Sequence, residues 1–111
     1  MVQPLTDNQK AVKVIESLHG VYLDLIASAP LEEIDAGAAD AYKTTSGIIV
    51  AAMDEGANGL VAAKLAYDFA GKEYLRLKKN SHSTYNHMLK TGYYGAREFL
   101  DEVINYWNDE N

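Results

Sequence analysis

The sequence predicts an all-α domain, a compact bundle of about four helices in up-and-down topology. Three observations predict it. Apolar residues recur at steps of three and four through four long segments, the spacing of one helix face. Only two prolines occur, Pro4 and Pro30, and neither interrupts a periodic segment. Short turn signals separate the segments, as expected where successive helices pack antiparallel. Residues 1–111 read as a single domain, with 1–5 and 108–111 as frayed ends.

The first helix is expected to begin near Thr6 or Asp7. Thr6 and Gln9 have the spacing of a capping box, in which each side chain accepts the other residue's free backbone N–H. Val14, Leu18, Val21 and Leu25 then form an apolar stripe, widened by Ile15, Tyr22 and Ile26. The helix should fade near Ala27 to Ala29. The segment LEEID, residues 31–35, reads as a separate turn with Asp35 capping a second helix from Ala36 to Glu55. The continuous apolar run from Ile48 to Met53 fits a buried strand or a helix. The surrounding alanines and the lack of alternation favour helix. DEGANG, residues 54–59, is the strongest turn signal.

Asn58 is placed to cap the third helix. Leu60, Ala63, Tyr67, Ala70, Tyr74 and Leu77 form its apolar stripe. Opposite them run Lys64, Asp68, Lys72, Arg76 and Lys79, with Lys64, Asp68 and Lys72 spaced for pairing along the helix. The small residues Ala62, Ala63, Ala66, Ala70 and Gly71 allow close approach within a bundle, or between the two copies of a homodimer. The fourth helix should start at Ser81 or Ser83. Tyr85, Leu89, Gly92, Ala96, Phe99, Val103 and Trp107 hold one phase, so Gly92 and Gly95 are expected inside one helix, with a break at Thr91 as the alternative.

The chain has 111 residues, no cysteine and a formal charge of −6. The missing cysteine excludes a disulfide scaffold, Cys-ligated zinc, an iron–sulfur cluster and a thiol nucleophile. The longest apolar run, residues 47–53, is far short of the roughly 20 residues that span a membrane. Nothing at the start suggests secretion, so a cytoplasmic protein without membrane partners is expected. Charge is unevenly distributed. Residues 1–63 and 98–111 are acidic, whereas residues 64–97 hold seven bases and two acids. Nucleic acid, if bound at all, should contact this basic segment.

Metal chemistry finds little support. Glu16 and His19 have the Glu-x-x-His spacing of di-iron carboxylate bundles, but the second copy is missing. His82 and His87 are five apart, where zinc proteases use four. Glu98, Asp101 and Glu102, even with Glu32 and Glu33, match no magnesium signature and read as a solvated acidic face. No metal and no cofactor is expected. Lys72, Arg76, Lys78, Lys79 and His82 form a candidate site for an anion or nucleic acid. Within it, the run Arg76-Leu77-Lys78-Lys79-Asn80-Ser81-His82 resembles the Arg-x(4–6)-His motif of HEPN ribonuclease domains, which are helical bundles of about this length. The resemblance covers seven residues. It implies that His82 deprotonates an RNA 2′-OH and Arg76 stabilises the phosphorane at a dimer interface. Leu77 departs from the usually polar position of that family.

Tyrosine is frequent, at eight residues. Tyr93 and Tyr94 are candidate protein-interface residues, because tyrosine buries much area at little entropic cost. The expected function is a small acidic protein–protein interaction or regulatory module without catalysis, as a homodimer or with another protein. The alternative is RNA binding or cleavage through Arg76 and His82. A third is an acidic mimic of nucleic acid, using Glu98, Asp101, Glu102, Asp109 and Glu110.

Overall fold

A computed structural model describes residues 5–28, 33–80 and 82–107. The described residues form α1 (Asp7–Ser28), α2 (Glu33–Asp54), α3 (Gly59–Lys79) and α4 (Thr84–Asn105), and include no strand. Pro4, Pro30, Ser81, Asp109 and Glu110, with the first two residues of LEEID, lie outside the described residues.

Local chemistry sets the helix ends. At α1 the expected capping box forms. Gln9 N–H donates to Thr6 Oγ1 at 3.1 Å, and Thr6 N–H donates to Gln9 Oε1 at 2.9 Å. α2 begins at Glu33, so Asp35 lies inside the helix and is not its cap. The end of α2 is a Schellman turn. Ala57 N–H donates to Ala52 C=O and Gly56 N–H to Met53 C=O, both at 3.0 Å. Gly56 takes φ +100°, a conformation that suits glycine. Asn58 Oδ1 caps α3 by accepting from Leu60 N–H at 2.8 Å. Ser83 caps α4 by accepting from Asn86 N–H at 3.0 Å. The 48–53 run is helical, and α4 is continuous through Gly92 and Gly95.

The helices run up and down. α2 and α3 pack on each other, with α1 and α4 each resting against both, and α1 and α4 barely meet. Small residues allow this. A Cβ on Gly92 would lie 2.7 Å from both Ala38 C=O and Ala41 Cβ, so the α4 backbone rests directly on α2. Gly37 of α2 sits against the Tyr85 carbonyl and the Leu89 amide, and Gly95 of α4 against the Tyr42 hydroxyl. Gly59 of α3 presses on the Asp7 carbonyl and on Ala11 of α1. Ala62, Ala63, Ala66 and Ala70 are wholly buried, so these small residues are spent inside the bundle.

The core has two parts. At the end where α1 begins, all four helices contribute, through Ala11, Val14, Leu18, Ile49, Ala62, Ala63, Ala66, Ala96, Leu100 and Trp107. At the other end Ala41, Ala70, Leu77 and Tyr93 pack with Phe69, Tyr74 and Leu89, and none of these described residues comes from α1. This corrects the expected α1 stripe. Val21 and Ile26 are exposed, because the second half of α1 flanks a three-helix core instead of entering it.

Two glycine substitutions should separate helix propensity from close packing. Gly20 lies within α1 with nothing near its missing Cβ, so Gly20→Ala should stabilise by up to about 1 kcal/mol. Gly92→Ala should destabilise by about 1–3 kcal/mol through overpacking against α2. Chemical denaturation midpoints check both signs.

Candidate functional site

Three features of the fold bear on function: the basic end of α3, a clasp that joins α1 to the end of α4, and the outward face of α3. The basic end is solvent-facing. Lys72, Arg76 and Lys79 follow one face at steps of four and three, while Lys78 points round the helix. Arg76 is engaged within its own helix. Its Nε donates to Glu73 Oε2 at 2.9 Å and its Nη2 at 2.5 Å. That hydrogen bond and the carboxylate charge raise the Arg76 pKa further. His82 lies exposed beyond the helix end, and no hydrogen bond or ion pair joins it to Arg76. The structure therefore does not assemble these two residues into a pair.

The two interface candidates separate. Tyr93 is in the core, with its ring edge-on to Phe69 at 5.8 Å, and burial raises its pKa while a hydrogen bond with Thr44 opposes the rise. It is thus withdrawn from any partner. Tyr94 is 47% exposed and lies against Tyr74 at 5.4 Å. His19 of the Glu-x-x-His pair is exposed beside Tyr22. Among the described residues no three His, Asp or Glu side chains converge as a metal site would need. Glu98 lies 3.9 Å from Arg97, and Glu102 is exposed. Asp101 is half-buried, and the last two acids of the mimic hypothesis, Asp109 and Glu110, lie outside the described residues.

Sequence reasoning missed the clasp. Trp107 is buried just beyond α4, and its Nε1–H donates to Asp7 Oδ1 at 2.8 Å. Lys10 is buried beside it, donates to the Trp107 carbonyl, and holds its ammonium 5.9 Å from the indole centroid. The Asp7 carboxyl is held below the ordinary carboxylate range, first by the Trp107 hydrogen bond and also by Asn58 and the Lys10 charge. Alongside lies a groove of about 360 Å³ over Val14, Phe99, Val103 and Trp107, with Lys13 and Glu102 among its lining residues.

The outward face of α3 was also missed. Val61, Leu65 and Leu75 are 50%, 49% and 59% exposed. They share that face with Lys64, Asp68, Lys72, Arg76 and Lys79. The expected pairing of Lys64, Asp68 and Lys72 does not form, and among the described residues none of the three makes an ion pair. Between this face and α4 runs a shallow groove of about 310 Å³, walled by Tyr67, Gly71, Tyr74, Leu75 and Arg97. The Arg97 guanidinium covers the Tyr67 ring at 4.9 Å.

Comparison with known protein families, with curated proteins and with solved structures returns no match. Among the described residues no helix is long and apolar enough to cross a membrane.

The clasp predicts an acid-dependent contribution to stability. A carboxyl whose pKa is depressed on folding stabilises above its unfolded value, near 4, and loses that contribution as pH falls through its folded value. Asp7→Asn should therefore flatten the loss of unfolding free energy between neutral pH and about pH 2.5. Denaturant titrations at a series of pH values measure the slope.

Proposed function

We propose that the chain is a non-catalytic interaction module that docks a protein through the outward face of α3. One observation carries this reading: three large apolar side chains, Val61, Leu65 and Leu75, stand about half exposed along a single helix face. Isolated exposed apolar residues are ordinary, whereas several aligned on one helix face, with charges between, fit an interaction surface. From Val61 to Leu75 the line extends roughly 21 Å at 1.5 Å per residue. The same proposal places the module in the cytoplasm with a regulatory role, in keeping with an acidic chain that has no cysteine. The RNA reading draws less support, because Arg76 is held by Glu73 and makes no hydrogen bond or ion pair with His82.

Affinity capture from native extract, with and without nuclease, tests the proposal. The tagged parent and Arg76→Ala/His82→Ala should retain the same protein after nuclease treatment. Leu65→Glu/Leu75→Glu should lose it with an unchanged melting temperature. Capture of material that nuclease removes, and that Arg76→Ala/His82→Ala abolishes, would overturn the interaction module in favour of RNA.

A further inference from the structure

Six residues define the outward face of α3: Val61, Leu65, Asp68, Lys72, Leu75 and Lys79, all exposed. Their steps alternate four, three, four, three, four. That is the heptad spacing of a coiled-coil seam, in which alternate positions of one helix fit between those of another. Ala63, Ala70 and Leu77 lie on the opposite side, buried in the bundle. α3 thus has a second face with helix-packing spacing, which is exposed.

The open face is complementary to itself in one orientation. Consider a second α3 running antiparallel about a two-fold axis at the level of Ala70. Residues at equal distances either side of position 70 then face each other. Leu65 meets the partner's Leu75, and Leu75 meets the partner's Leu65. Asp68 meets the partner's Lys72 and Lys72 the partner's Asp68, so two opposite-charge pairs occupy the centre. Val61 meets the aliphatic stem of the partner's Lys79. In a parallel pair Asp68 would face Asp68 and Lys72 would face Lys72, so like charges reject that arrangement. Shifting the antiparallel pair by one heptad sets Leu65 against Asp68 in one direction, or Leu75 against Lys72 in the other. A charged layer that favours one register is a known device of coiled coils.

We propose that the chain self-associates through α3 as an antiparallel two-fold dimer. Its seam joins Leu65 to the partner's Leu75 and centres on Asp68 against the partner's Lys72. This rests on the interaction-module reading and names a second copy as the partner. The flanks moderate the affinity. Lys64 approaches the partner's Lys78 and the two repel, while Glu73 partly neutralises Arg76. One helix face per copy also places the interface at the small end of specific contacts, so dimerisation should be reversible on dilution.

Sedimentation equilibrium on the parent, Asp68→Lys, Lys72→Asp and the double variant Asp68→Lys/Lys72→Asp tests the proposal. The parent should show a concentration-dependent dimer. Each single reversal puts like charges at the centre and should weaken dimerisation about tenfold or more. The double variant restores opposite charges and should recover the affinity to within a few-fold. Circular dichroism should show the same fold in all four. A dimer indifferent to both single reversals would place self-association on another face and overturn the proposal. A parent that stays monomeric throughout would also overturn it. In that case the interaction-module reading stands if Leu65→Glu/Leu75→Glu still blocks capture of a different protein, and falls if it does not.

Discussion

Close approach of α4 to α2 constrains the rest of the bundle. Gly92 lies on Ala38 and Ala41, and Gly37 lies under the turn of α4 that holds Tyr85 and Leu89. Nine of the sixteen buried apolar residues described are alanines. Such a core lets backbones come together, but each alanine removes little apolar area from water. Among the described residues a few larger apolar side chains, Leu18, Ile49, Leu77 and Leu100 among them, share the core with these alanines. Tyr42, Phe69, Tyr74 and Phe99 pack around its edge, while Leu65, Leu75 and Val61 remain outside. The exposed face of α3 thus follows from how the helices meet, and it is the surface proposed for a partner.

Because α1 and α4 barely touch along their lengths, their junction falls to the clasp. Trp107 is the largest side chain of the four-helix core, and it arrives after α4 has ended. Its indole N–H satisfies Asp7, and its carbonyl receives the Lys10 ammonium, so one residue ties the start of α1 to the end of the bundle. Lys10 and Trp107 are buried, and buried polar groups are costly when left unpaired, so these two depend on the contacts of the clasp. At the opposite end the second half of α1 lies beside a core made by the other three helices.

Much of the fold was legible because it follows from local chemistry. The Thr6–Gln9 box, the Asn58 cap, the DEGANG turn and the phase of α4 each needed only neighbours in sequence. The misplaced residues needed the partner helix. Val21 and Ile26 continue the α1 stripe, and only the three-helix packing at that end leaves them exposed. Tyr93 and Tyr94 are adjacent, and which one turns inward depends on Phe69 and the α2 backbone. The clasp joins residues about 100 positions apart, a separation that helical periodicity does not report. The α3 seam is different. Its four–three spacing stands in the sequence, but the alternating Lys64, Asp68 and Lys72 read as a solvated face with pairs along the helix. The structure leaves those pairs unformed.

Self-complementarity now connects the core to the proposed role. A helix packed inward through Ala63, Ala70 and Leu77 presents Leu65 and Leu75 outward at matching distances from Ala70, and the central charges allow one direction of pairing. The chain has no cysteine, so introduced ones report without background. Mixing Leu65→Cys protein with Leu75→Cys protein under mild oxidation is the most direct measurement. The account predicts a disulfide-linked heterodimer from the mixture and little cross-linking from either variant alone, because the two copies of position 65 lie roughly 15 Å apart along the seam. Efficient linkage of Leu65→Cys to itself, or none in the mixture, would contradict it.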